Sequence, residues 1–436
     1  MIANRGEIAL RIVRACKEMG IQTVAAYSKV DTNLLHLKYA DEITCISHTS
    51  YLDQKSMIIS ATNLGCDAIH PGYGFLAEDA EFAGSVESAG LIFIGPDPRT
   101  IILMADKSRA RQVARSHGLR LIPGSKSALT DSSEALVVAG EIGYPLLLKA
   151  VHGGGGRGIR IVERETDFHV AFSEAQTEAS SAFGNGDLYI EKFLDHARHI
   201  EVQVVGDGSG AAIHLGSREC SIQRKHQKLV EEAPACNLPS GSLQELCEKS
   251  RQMVEGLDYR GVGTCEFLFQ DGDFYFIEMN TRIQVEHPVT ECVTGVDLVK
   301  LQIEIAASGT LGITQDDVSI EGHAFECRIN AEDKNFNPCP GVVSEIIFPG
   351  GPGVRVDSHL YNGYETPHYY DSLIAKLITS DATRDKALVR MQRALSEFSV
   401  KGIESNIGLH RRIFEHRQFV EEVVDTGFLQ QIILSG

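Results

Sequence analysis

The residue pattern most suggestive of chemistry is a glycine run, Gly153-Gly154-Gly155-Gly156-Arg157-Gly158, which lies between two short apolar segments. Four consecutive residues without side chains let backbone N–H groups approach a phosphate chain closely and adopt positive φ freely. The spacing matches neither a P-loop nor a dinucleotide-binding turn, and both flanks are typical of strands. The run is therefore either a flap that closes over phosphates or a long hairpin turn. Lys149, just before the run, favours the flap, because a cation beside such a loop suits a triphosphate.

Two glutamates that interrupt otherwise apolar segments, Glu266 and Glu278, suggest a second kind of chemistry. A buried carboxylate without a partner is costly, so each of these glutamates requires a cation. Two carboxylates that offer only oxygen ligands favour Mg²⁺ or Mn²⁺. The alternative is that both glutamates occupy solvent-exposed strand positions.

The turn between these two segments decides whether the glutamates can share an ion. A two-residue turn at Asp271-Gly272 would pair Glu266 with Ile277 and place the two carboxylates on opposite faces of the hairpin. A three-residue loop, or an equivalent bulge, would pair Glu266 with Glu278 on one face. The metal hypothesis requires the second arrangement, although the first is the simplest expectation for this turn sequence.

Three further segments carry charge that could bind an anion. Segment 280–288 has polar groups at every second position and ends at a proline, as in an extended loop that lines a site. Within it, Arg282 offers a bidentate fork for a small planar anion, and Glu286 could accept a proton from that anion. The alternative is a solvated loop with ordinary ion pairs. The basic cluster 223–228 is either a solvated positive face or part of the same site, and Arg328 lies among alternating apolar residues, where an arginine seldom occurs without an anionic partner.

The elements that must position these residues follow from the hydrophobic pattern. Apolar residues at three-to-four spacing over 8–19 indicate a helix, and short apolar runs at 21–27, 66–70 and 91–94 indicate buried strands. Strands that alternate with helices imply a parallel sheet covered on both faces. Residues 1–95 are therefore predicted to form an α/β domain.

The rest of the chain divides into three predicted parts. Residues 96–120 are expected to form a helical linker. Residues 121–193 contain a strand, a tight glycine loop and a second strand, and residues 194–436 form a larger, mostly antiparallel domain. The antiparallel strands are predicted from three apolar segments: 200–204, 262–269 and 274–278.

The first predicted strand is unusually short. If Gly6 begins the first helix, only Met1-Ile2-Ala3 remain for this strand, where five or six residues are usual. We therefore expect the strand to be clipped, with a few upstream apolar residues in the native gene. A full-length first strand formed from other residues would contradict this expectation.

Length and composition exclude several classes of protein. The chain has 436 residues, with 41 Lys+Arg against 59 Asp+Glu, and its formal net charge of −18 disfavours a general binder of nucleic acids or anionic membranes. No run of 18 apolar residues is present, which excludes a membrane-spanning helix. The ten cysteines are scattered singly, which argues against a zinc site and a disulfide scaffold and favours a reducing compartment. With no targeting pattern at its start, the chain is expected to be a cytoplasmic enzyme.

Several long segments, in the same order, match one family. The chain resembles the biotin carboxylase component of acetyl-CoA carboxylase and related biotin-dependent carboxylases, which are members of the ATP-grasp superfamily. The resemblance implies an α/β ATP-grasp fold, with an N-terminal doubly wound parallel-sheet domain, a small mobile lid domain and a large, mostly antiparallel C-terminal domain. It covers nearly the whole chain, through segments 3–9, 70–76, 153–158, 224–234, 276–290 and 322–333.

The resemblance also implies four sets of site residues, position by position. The implied ATP-binding residues are Lys107, Lys149, Gly155, Gly156, Glu191, Lys192, Leu194, His199, Gln223, His226, Glu266 and Glu278. The implied ligands of two Mg²⁺ or Mn²⁺ ions are Glu266, Glu278 and Asn280. The implied bicarbonate site consists of Lys228, Arg282, Gln284, Val285 and Glu286, and the implied biotin site of Arg328 and Tyr73. The implied catalytic residues are Glu286 as the base, Arg282, Lys228, and Arg328 as the group that stabilises the biotin enolate.

The implied activity is a ligase reaction in two steps, in which bicarbonate and ATP form carboxyphosphate and biotin then accepts CO₂. The sequence has no Ala-Met-Lys-Met-like biotinylation motif and no carboxyltransferase region. Biotin is therefore expected on a separate carboxyl carrier protein, with carboxyltransferase subunits as further partners, unless the chain is a fragment of a longer carboxylase. The resemblance also implies a homodimer.

Three alternatives remain open. The chain could serve a propionyl-CoA, pyruvate or other acyl-CoA carboxylase, because the final acceptor is chosen by the partner. It could be another ATP-grasp ligase that makes carboxyphosphate, or a nucleotide-binding regulatory subunit without catalysis. Two segments depart from the family pattern: Val151-His152 precede the glycines where small residues are expected, and Cys236-Asn237 follow Pro234-Ala235 with no evident consequence.

Overall fold

The computed structural model describes residues 1–151, 159–224, 227–421 and 424–434. Its N-terminal region alternates short strands with helices, as the hydrophobic pattern predicts. The elements of this region are α1 (Gly6–Glu18), β1 (Val24–Ser28), β2 (Glu42–Ser47), α2 (Gln54–Asn63), β3 (Ala68–Ile69), α3 (Ala80–Ser88) and β4 (Ile92–Phe93).

Residues before α1 join two pairs of parallel strands. β1 pairs with β2 and β3 pairs with β4, in both cases parallel. Ile2 forms parallel bridges to Ala25 on one side and to His70 on the other. The segment before α1 therefore pairs through residues 1–3, as expected, and the presence of upstream residues in the native gene stays a prediction.

Two capped helices follow, α4 (Pro98–Ala105) and α5 (Lys107–Ser116), in the segment where a helical linker is expected. The side chains of Asp97 and Asp106 accept hydrogen bonds from backbone N–H groups of the first turns. These caps fix the start of α5, and Lys107 is its first residue.

A small separate sheet is built from the next part of the chain. Its strands lie in the order β6-β5-β7 and pair antiparallel, so that β5 and β6 form the predicted pair on the two sides of the glycine run. Both helices of this part share an apolar core with the sheet, α6 through Ala135 and Ala139 and α7 through Phe168 and Phe172. The elements are α6 (Ser132–Ile142), β5 (Leu146–Ala150), β6 (Ile159–Val162), α7 (Phe168–Phe183) and β7 (Leu188–Lys192).

An antiparallel sheet of eight strands dominates the remainder, which confirms the mostly antiparallel prediction. Its elements up to the sixth strand of the sheet are β8 (Arg198–Asp207), β9 (Ala212–Arg224), β10 (Gln227–Ala233), α8 (Ser240–Gly256), β11 (Arg260–Gln270), β12 (Asp273–Asn280), α9 (His287–Thr294), α10 (Leu298–Ser308) and β13 (His323–Asn330). Those that follow are β14 (Gly341–Val342), β15 (Glu345–Ile347), β16 (Val354–Ser358), β17 (Glu365–Thr366), β18 (Leu373–Asp381), α11 (Arg384–Glu397), β19 (Ser399–Lys401), α12 (Ile407–Glu415), α13 (Arg417–Glu421) and α14 (Phe428–Leu434). The order in the sheet is β12-β11-β8-β9-β10-β13-β18-β16.

The centre of this sheet is covered on both faces, because every residue of β8 is buried. Ile200 and Val202 point to an apolar core shared with Met253 of α8. Glu201 and Gln203 alternate with these residues along the strand. They point to the other face, where they are wholly buried. Buried polar side chains on this second face define the candidate site. None of the helices that the structure describes combines the length and the apolarity needed to cross a membrane.

Candidate active site

The hairpin of β11 and β12 brings Glu266 and Glu278 onto one face. Its turn is the two-residue Asp271-Gly272, with φ of 53° and 87°, as the simplest expectation has it. However, a bulge leaves Ile277 out of the pairing, so Glu266 lies directly opposite Glu278. The arrangement that the metal hypothesis requires is therefore present, through a bulge and not through a longer turn.

Glu266 is held by four neighbouring side chains. The Lys228 ammonium and the Asn280 amide each donate to it over 2.8 Å, and the Gln284 amide donates over 2.7 Å. His199 Nε2 lies 3.0 Å from its second oxygen, an imidazole that the linear sequence does not place beside it. Burial alone would raise the pKa of Glu266, but Lys228 and His199 hold the pKa well below its usual range.

Lys228 lies between three carboxylates that come from different elements. It donates to Glu266 of β11 and to Glu286, just before α9, over 2.8 Å in each case, and it also contacts Glu201 of β8. Each of the three carboxylates has at least one further cation: Arg218 and His199 for Glu201, His199 for Glu266 and Arg328 for Glu286. The three carboxylates therefore share one ammonium.

Glu286 connects Lys228 to Arg328. The Arg328 guanidinium donates to Glu286 over 2.8 Å and to Glu231 over 2.6 Å, which confirms the prediction of an anionic partner for this arginine. Glu286 is 1 % exposed. Burial alone would raise its pKa, but the charges of Lys228 and Arg328 lower the pKa of Glu286 and keep the carboxylate ionised.

A second pair of carboxylates lies behind Arg328. In the ladder of β10 and β13, Glu231 is directly opposite Glu326, and both are wholly buried. Both Glu326 oxygens and one Glu231 oxygen have no hydrogen-bond partner among the described residues. Burial raises the pKa of Glu231 to about 7 and raises the pKa of Glu326 well above its usual range.

Arg218 is the largest feature of the site that the sequence analysis missed. Its side chain is wholly buried, and it donates to Glu201 over 2.9 Å, to Gln284 over 2.8 Å, and to the hydroxyls of Thr264 and Thr290 over 3.0 Å each. The bonded residues come from β8, β11, α9 and the loop before α9. The sequence signal was weak, since Arg218 lies in an ordinary mixed strand.

The predicted nucleotide residues of β7 lie at one end of the small sheet. Glu191 accepts from Arg111 over 2.6 Å and also contacts Lys149. The Lys192 ammonium donates to the backbone carbonyls of Gly143 and Tyr144, over 3.2 and 2.9 Å. Leu194 follows β7 and is half-buried.

Other predicted nucleotide residues lie nearer to the large sheet. The Gln223 amide lies 3.0 Å from His199 Nδ1. Burial alone would lower the pKa of His199, but Glu266 and Glu201 raise it to about 9. The positive charge of Lys107, at the start of α5, partly opposes the rise in the pKa of Glu278 that burial and Glu266 cause. Three of the predicted positions, Gly155, Gly156 and His226, lie outside the described residues.

Two predicted site residues are paired with carboxylates that were not predicted as site residues. Arg282 does not contact Glu286; it donates to Glu78 over 2.9 Å and to the Asn280 oxygen over 3.2 Å. The Tyr73 hydroxyl donates to the Glu7 carboxylate.

Val285 enters the site through its backbone. Its carbonyl accepts from the buried Lys376 over 2.9 Å, and Lys376 also lies 3.2 Å from Glu7. Glu7, the carboxylate that accepts from Tyr73, is therefore connected through Lys376 to the loop before α9. The sequence analysis did not identify Lys376.

The carboxylates of the hairpin fit a hard divalent cation. Burial and the negative charge of Glu266 both raise the pKa of Glu278, which lies directly opposite Glu266 in the hairpin. A divalent ion would relieve this repulsion, and carboxylate and amide oxygens are the ligands that Mg²⁺ and Mn²⁺ prefer. The donor set available to it consists of Glu266, Glu278 and the Asn280 oxygen.

Comparison with protein families divides the chain into three matches. Residues 1–101 match the model "Biotin carboxylase, N-terminal domain", and residues 326–431 match "Biotin carboxylase C-terminal domain". Residues 106–314 match "Carbamoyl-phosphate synthase L chain, ATP binding domain". Together these matches cover most of the sequence.

Known proteins are similar over nearly the full length. The biotin carboxylase of Pseudomonas aeruginosa is 52 % identical, over 99 % of this chain and 97 % of the relative. A biotin carboxylase–β-γ-ATP complex from Campylobacter jejuni has a TM-score of 0.95 at 45 % identity, covering 99 % of this chain and 98 % of the other. The biotin carboxylase domain dimer of Hydrogenobacter thermophilus 2-oxoglutarate carboxylase, with MgADP, ADP and bicarbonate, has a TM-score of 0.94 at 46 % identity, covering 99 % and 96 %.

Proposed function

The chain belongs to the biotin carboxylase family of ATP-grasp ligases, and from this premise we propose that it carboxylates the biotin of a separate carrier protein with ATP and bicarbonate. One observation carries the proposal: Lys228, Glu286 and Arg328 form a continuous chain of ion pairs, with 2.8 Å on either side of Glu286. A carboxylate fixed between two cations suits the binding and deprotonation of a small anion.

In the proposed first step, Glu286 accepts the proton of bicarbonate, which attacks the γ-phosphate of ATP to give carboxyphosphate and ADP. The lowered pKa of Glu286 supports this role, because the group is ionised before the substrate binds. Lys228 and Arg282 are proposed to bind the anion, together with Gln284 and the backbone of Val285. Since Arg282 is paired with Glu78, binding would require it to reorient toward the anion.

In the proposed second step, carboxyphosphate releases CO₂ and phosphate, and the phosphate removes the N1 proton of biotin. Arg328 is proposed to stabilise the negative charge on the ureido oxygen while N1 attacks CO₂. Its bonds to both Glu231 and Glu286 fix the guanidinium, so little reorganisation is needed when the charge develops. We also retain Tyr73 as a proposed neighbour of biotin.

Glu266, Glu278 and Asn280 are the residues that would hold the divalent ions, Mg²⁺ or Mn²⁺. The bound metal supplies neutralisation of the negative charge on the phosphate chain. Holding the two carboxylates opposite each other is the contribution of the hairpin bulge. His199 and Lys228 restrain the Glu266 carboxylate.

The proposed nucleotide site extends from this hairpin to β7. Lys149 is paired with Glu191, so binding of a triphosphate would exchange that carboxylate for a phosphate oxygen. Glu191, Lys192 and Leu194 are proposed to receive the adenine. The further proposed contacts are Lys107, His199, Gln223, His226 and the glycine run with Gly155 and Gly156.

We propose acetyl-CoA carboxylase as the enzyme that this chain serves, with carboxyltransferase subunits as partners. The P. aeruginosa relative, which has nearly the same length, supports a separate biotin carboxylase subunit. Because the H. thermophilus protein is a 2-oxoglutarate carboxylase, other acceptors stay as alternatives: pyruvate, propionyl-CoA and other acyl-CoA thioesters. That protein's dimer supports a homodimer here, and the ten free cysteines support a cytoplasmic location.

We further propose that residues 1–95, 96–120, 121–193 and 194–436 act as the N-terminal domain, the linker, the lid and the catalytic domain. This division is supported by the separation of the three-stranded sheet β6-β5-β7 from the eight-stranded sheet, and by the parallel pairs β1-β2 and β3-β4 of the N-terminal region. Closure of the lid would exclude water from carboxyphosphate.

The proposal is tested by measuring ADP release from the purified chain with MgATP. We expect release to depend on bicarbonate and to increase when biotin is added, with carboxybiotin as the product. Release that ignores biotin but requires bicarbonate would favour another carboxyphosphate-forming ligase, and no bicarbonate-dependent release at all would contradict the proposal. Carboxylation of acetyl-CoA, propionyl-CoA or pyruvate in the presence of each candidate carboxyltransferase then identifies the acceptor.

A further inference from the structure

A second cluster of reactive side chains lies on the face of the large sheet opposite the candidate active site. Successive residues of β10 point to opposite faces, so Glu231 points toward Arg328 while Glu232 points away from it. On that opposite face, Glu232 meets His323 of β13 and Cys236 of the loop after β10. The candidate active site uses none of these three residues.

Three different metal-ligating groups converge within this cluster. Glu232 Oε1 lies 2.6 Å from His323 Nε2 and 3.1 Å from Cys236 Sγ, and Sγ lies 4.0 Å from Nε2. Zinc bound tetrahedrally at about 2.0–2.3 Å requires ligand atoms roughly 3.4–3.6 Å apart. Each of the three separations therefore needs to change by less than about 1 Å, which side-chain rotation can supply.

The surroundings hold the ligands in place and leave room for a fourth. Arg198 donates to the backbone carbonyls of Cys236 and Asn237, over 2.5 and 3.1 Å, and so fixes the loop that carries the thiol. Arg384 donates to both Glu232 oxygens, over 2.7 Å to Oε1 and 3.3 Å to Oε2. It can keep the hydrogen bond to Oε2 when Oε1 binds a metal. A cavity of about 30 Å³ beside these groups has space for one water molecule.

We propose that Glu232, Cys236 and His323 form a binding site for a zinc-type divalent cation, with a water molecule as the fourth ligand. A thiolate, an imidazole and a carboxylate together select zinc, whereas the all-oxygen hairpin site selects a harder ion. Binding replaces the thiol proton by a metal–sulfur bond and releases that proton to solvent. Because burial and Glu232 raise the pKa of the Cys236 thiol, the metal-free group is a poor target for oxidation, which argues against a redox switch at this position.

The ligand spacing explains why the sequence argued against zinc. The three ligands come from positions 232, 236 and 323, and no short cysteine–histidine motif joins them. Antiparallel pairing of β10 with β13 brings the distant histidine beside the other two. A bound metal would tie the loop after β10 to β13, at the end of the ladder beyond Glu231 and Arg328.

The test uses the full chain and Co²⁺ as a spectroscopic substitute for zinc. One equivalent of Co²⁺ should produce a thiolate-to-cobalt charge-transfer band, and one equivalent of Zn²⁺ should remove it. In Cys236→Ser the band should disappear, and the affinity for Zn²⁺, measured by competition with a chromogenic chelator, should fall at least about tenfold. His323→Gln should behave in the same way.

Matched controls separate this cluster from the other thiols. Cys220 also lies near two carboxylates, Glu201 and Glu286, so Cys220→Ser and the exposed-thiol variant Cys45→Ser should both keep the band. A band that persists in Cys236→Ser, or that is lost in Cys220→Ser, would overturn the proposal. Zn²⁺ should also raise the Tm of the unmodified chain more than that of Cys236→Ser, and equal shifts would contradict a site at Cys236.

Discussion

Individual side chains of the site are paired so that three carboxylates share Lys228 and each has at least one further cation beside it. Glu286 is the member that also contacts Arg328, the residue proposed to act on biotin. A substitution at Glu286 therefore removes a proton acceptor and, at the same time, a tether for two cations. Substitutions at Glu286 and Arg328 should have different kinetic consequences.

For Glu286→Gln we expect carboxylation to slow by about 10²–10⁴-fold, since an amide cannot accept the bicarbonate proton and a general base contributes this much. Carboxybiotin formation at saturating MgATP is the measurement. Glu304→Gln, an exposed substitution on α10, is the matched control and should retain activity. Near-normal turnover of Glu286→Gln would remove it from the role of base.

For Arg328→Ala we expect biotin carboxylation to fall much further than bicarbonate-dependent ATP cleavage. The arginine is proposed to stabilise charge on biotin, whereas Lys228 still neutralises Glu286 in the variant. The two rates are measured as carboxybiotin and ADP on the same samples, after circular dichroism has shown that the variant is folded. Equal losses in both rates would place Arg328 in the first step instead.

At the scale of paired strands, the ladder of β10 and β13 buries two carboxylates opposite each other. A carboxyl whose pKa is raised on folding binds its proton more tightly in the native state. Its contribution to stability is present at low pH and is lost as the pH rises from the unfolded toward the folded pKa. Glu231 and Glu326 both have this sign.

The Glu231→Gln variant should therefore lose less stability than the unmodified chain between pH 4.5 and pH 7, the interval between the usual and the raised pKa of Glu231. Free energies of unfolding from denaturant titrations at several pH values give the two slopes. Glu304→Gln again serves as the control, because it lies on an exposed helix face. Parallel curves for Glu231→Gln and the unmodified chain would show that Glu231 does not titrate in this interval.

Two exposed glycines, one in the turn of the β11–β12 hairpin and one in α6, give opposite predictions for the effect of alanine on stability. Gly272 has φ of +87° with open space around its α-carbon, so Gly272→Ala should cost about 1 kcal/mol of stability through backbone strain alone. Gly140 lies exposed inside α6, also with open space, and Gly140→Ala should stabilise the chain by about 0.4–1 kcal/mol. Chemical unfolding measures both. Equal signs would show that backbone conformation does not decide these effects.

Sequence patterns predicted the elements better than the contacts between them. The helix over 8–19, three strands of the large sheet (β8, β11 and β12) and the turn at Asp271-Gly272 all follow from local periodicity and turn chemistry. The bulge at Ile277 does not, since either register satisfies the alternation of β12. The domain boundaries and the roles of the site residues stay predictions.

The missed residues show why the rest of the site escaped prediction. Glu201 and Gln203 alternate with apolar residues, as in a strand with one solvated face, but every residue of β8 is buried. Arg218 and Lys376 acquire their meaning only from partners far along the chain. Arg328 was identifiable because a charge among apolar neighbours in its own strand already signals a buried partner.

At the scale of the whole molecule, groups whose pKa is raised on folding make the protein less stable as the pH rises. Burial alone lowers the pKa of His199, but its carboxylate neighbours raise it from 6.5 to about 9. A raised histidine contributes stability that is complete below pH 6.5 and is lost as the pH rises through 9. Burial raises the pKa of Glu326 as well, so its contribution to stability has the same sign.

We therefore expect the Tm of the whole chain to fall as the pH rises from 6.5 to 9, and His199→Gln to reduce this fall. Full loss of the His199 contribution corresponds to up to about 3 kcal/mol. Differential scanning calorimetry across this interval gives the measurement, with the exposed-histidine variant His169→Gln as the control. A variant that follows the unmodified profile would place the titration elsewhere.

The burial of Arg218 has a consequence for how the large sheet assembles. Its guanidinium is satisfied only when β8, β11 and the residues before and within α9 have all docked around it. A partly folded form in which the sheet has excluded water but one of these elements is missing would leave the buried guanidinium without a partner, at a cost of several kcal/mol. Such partly folded forms are therefore unstable. We expect this part of the chain to unfold and refold cooperatively, because Arg218 makes incomplete assembly unfavourable.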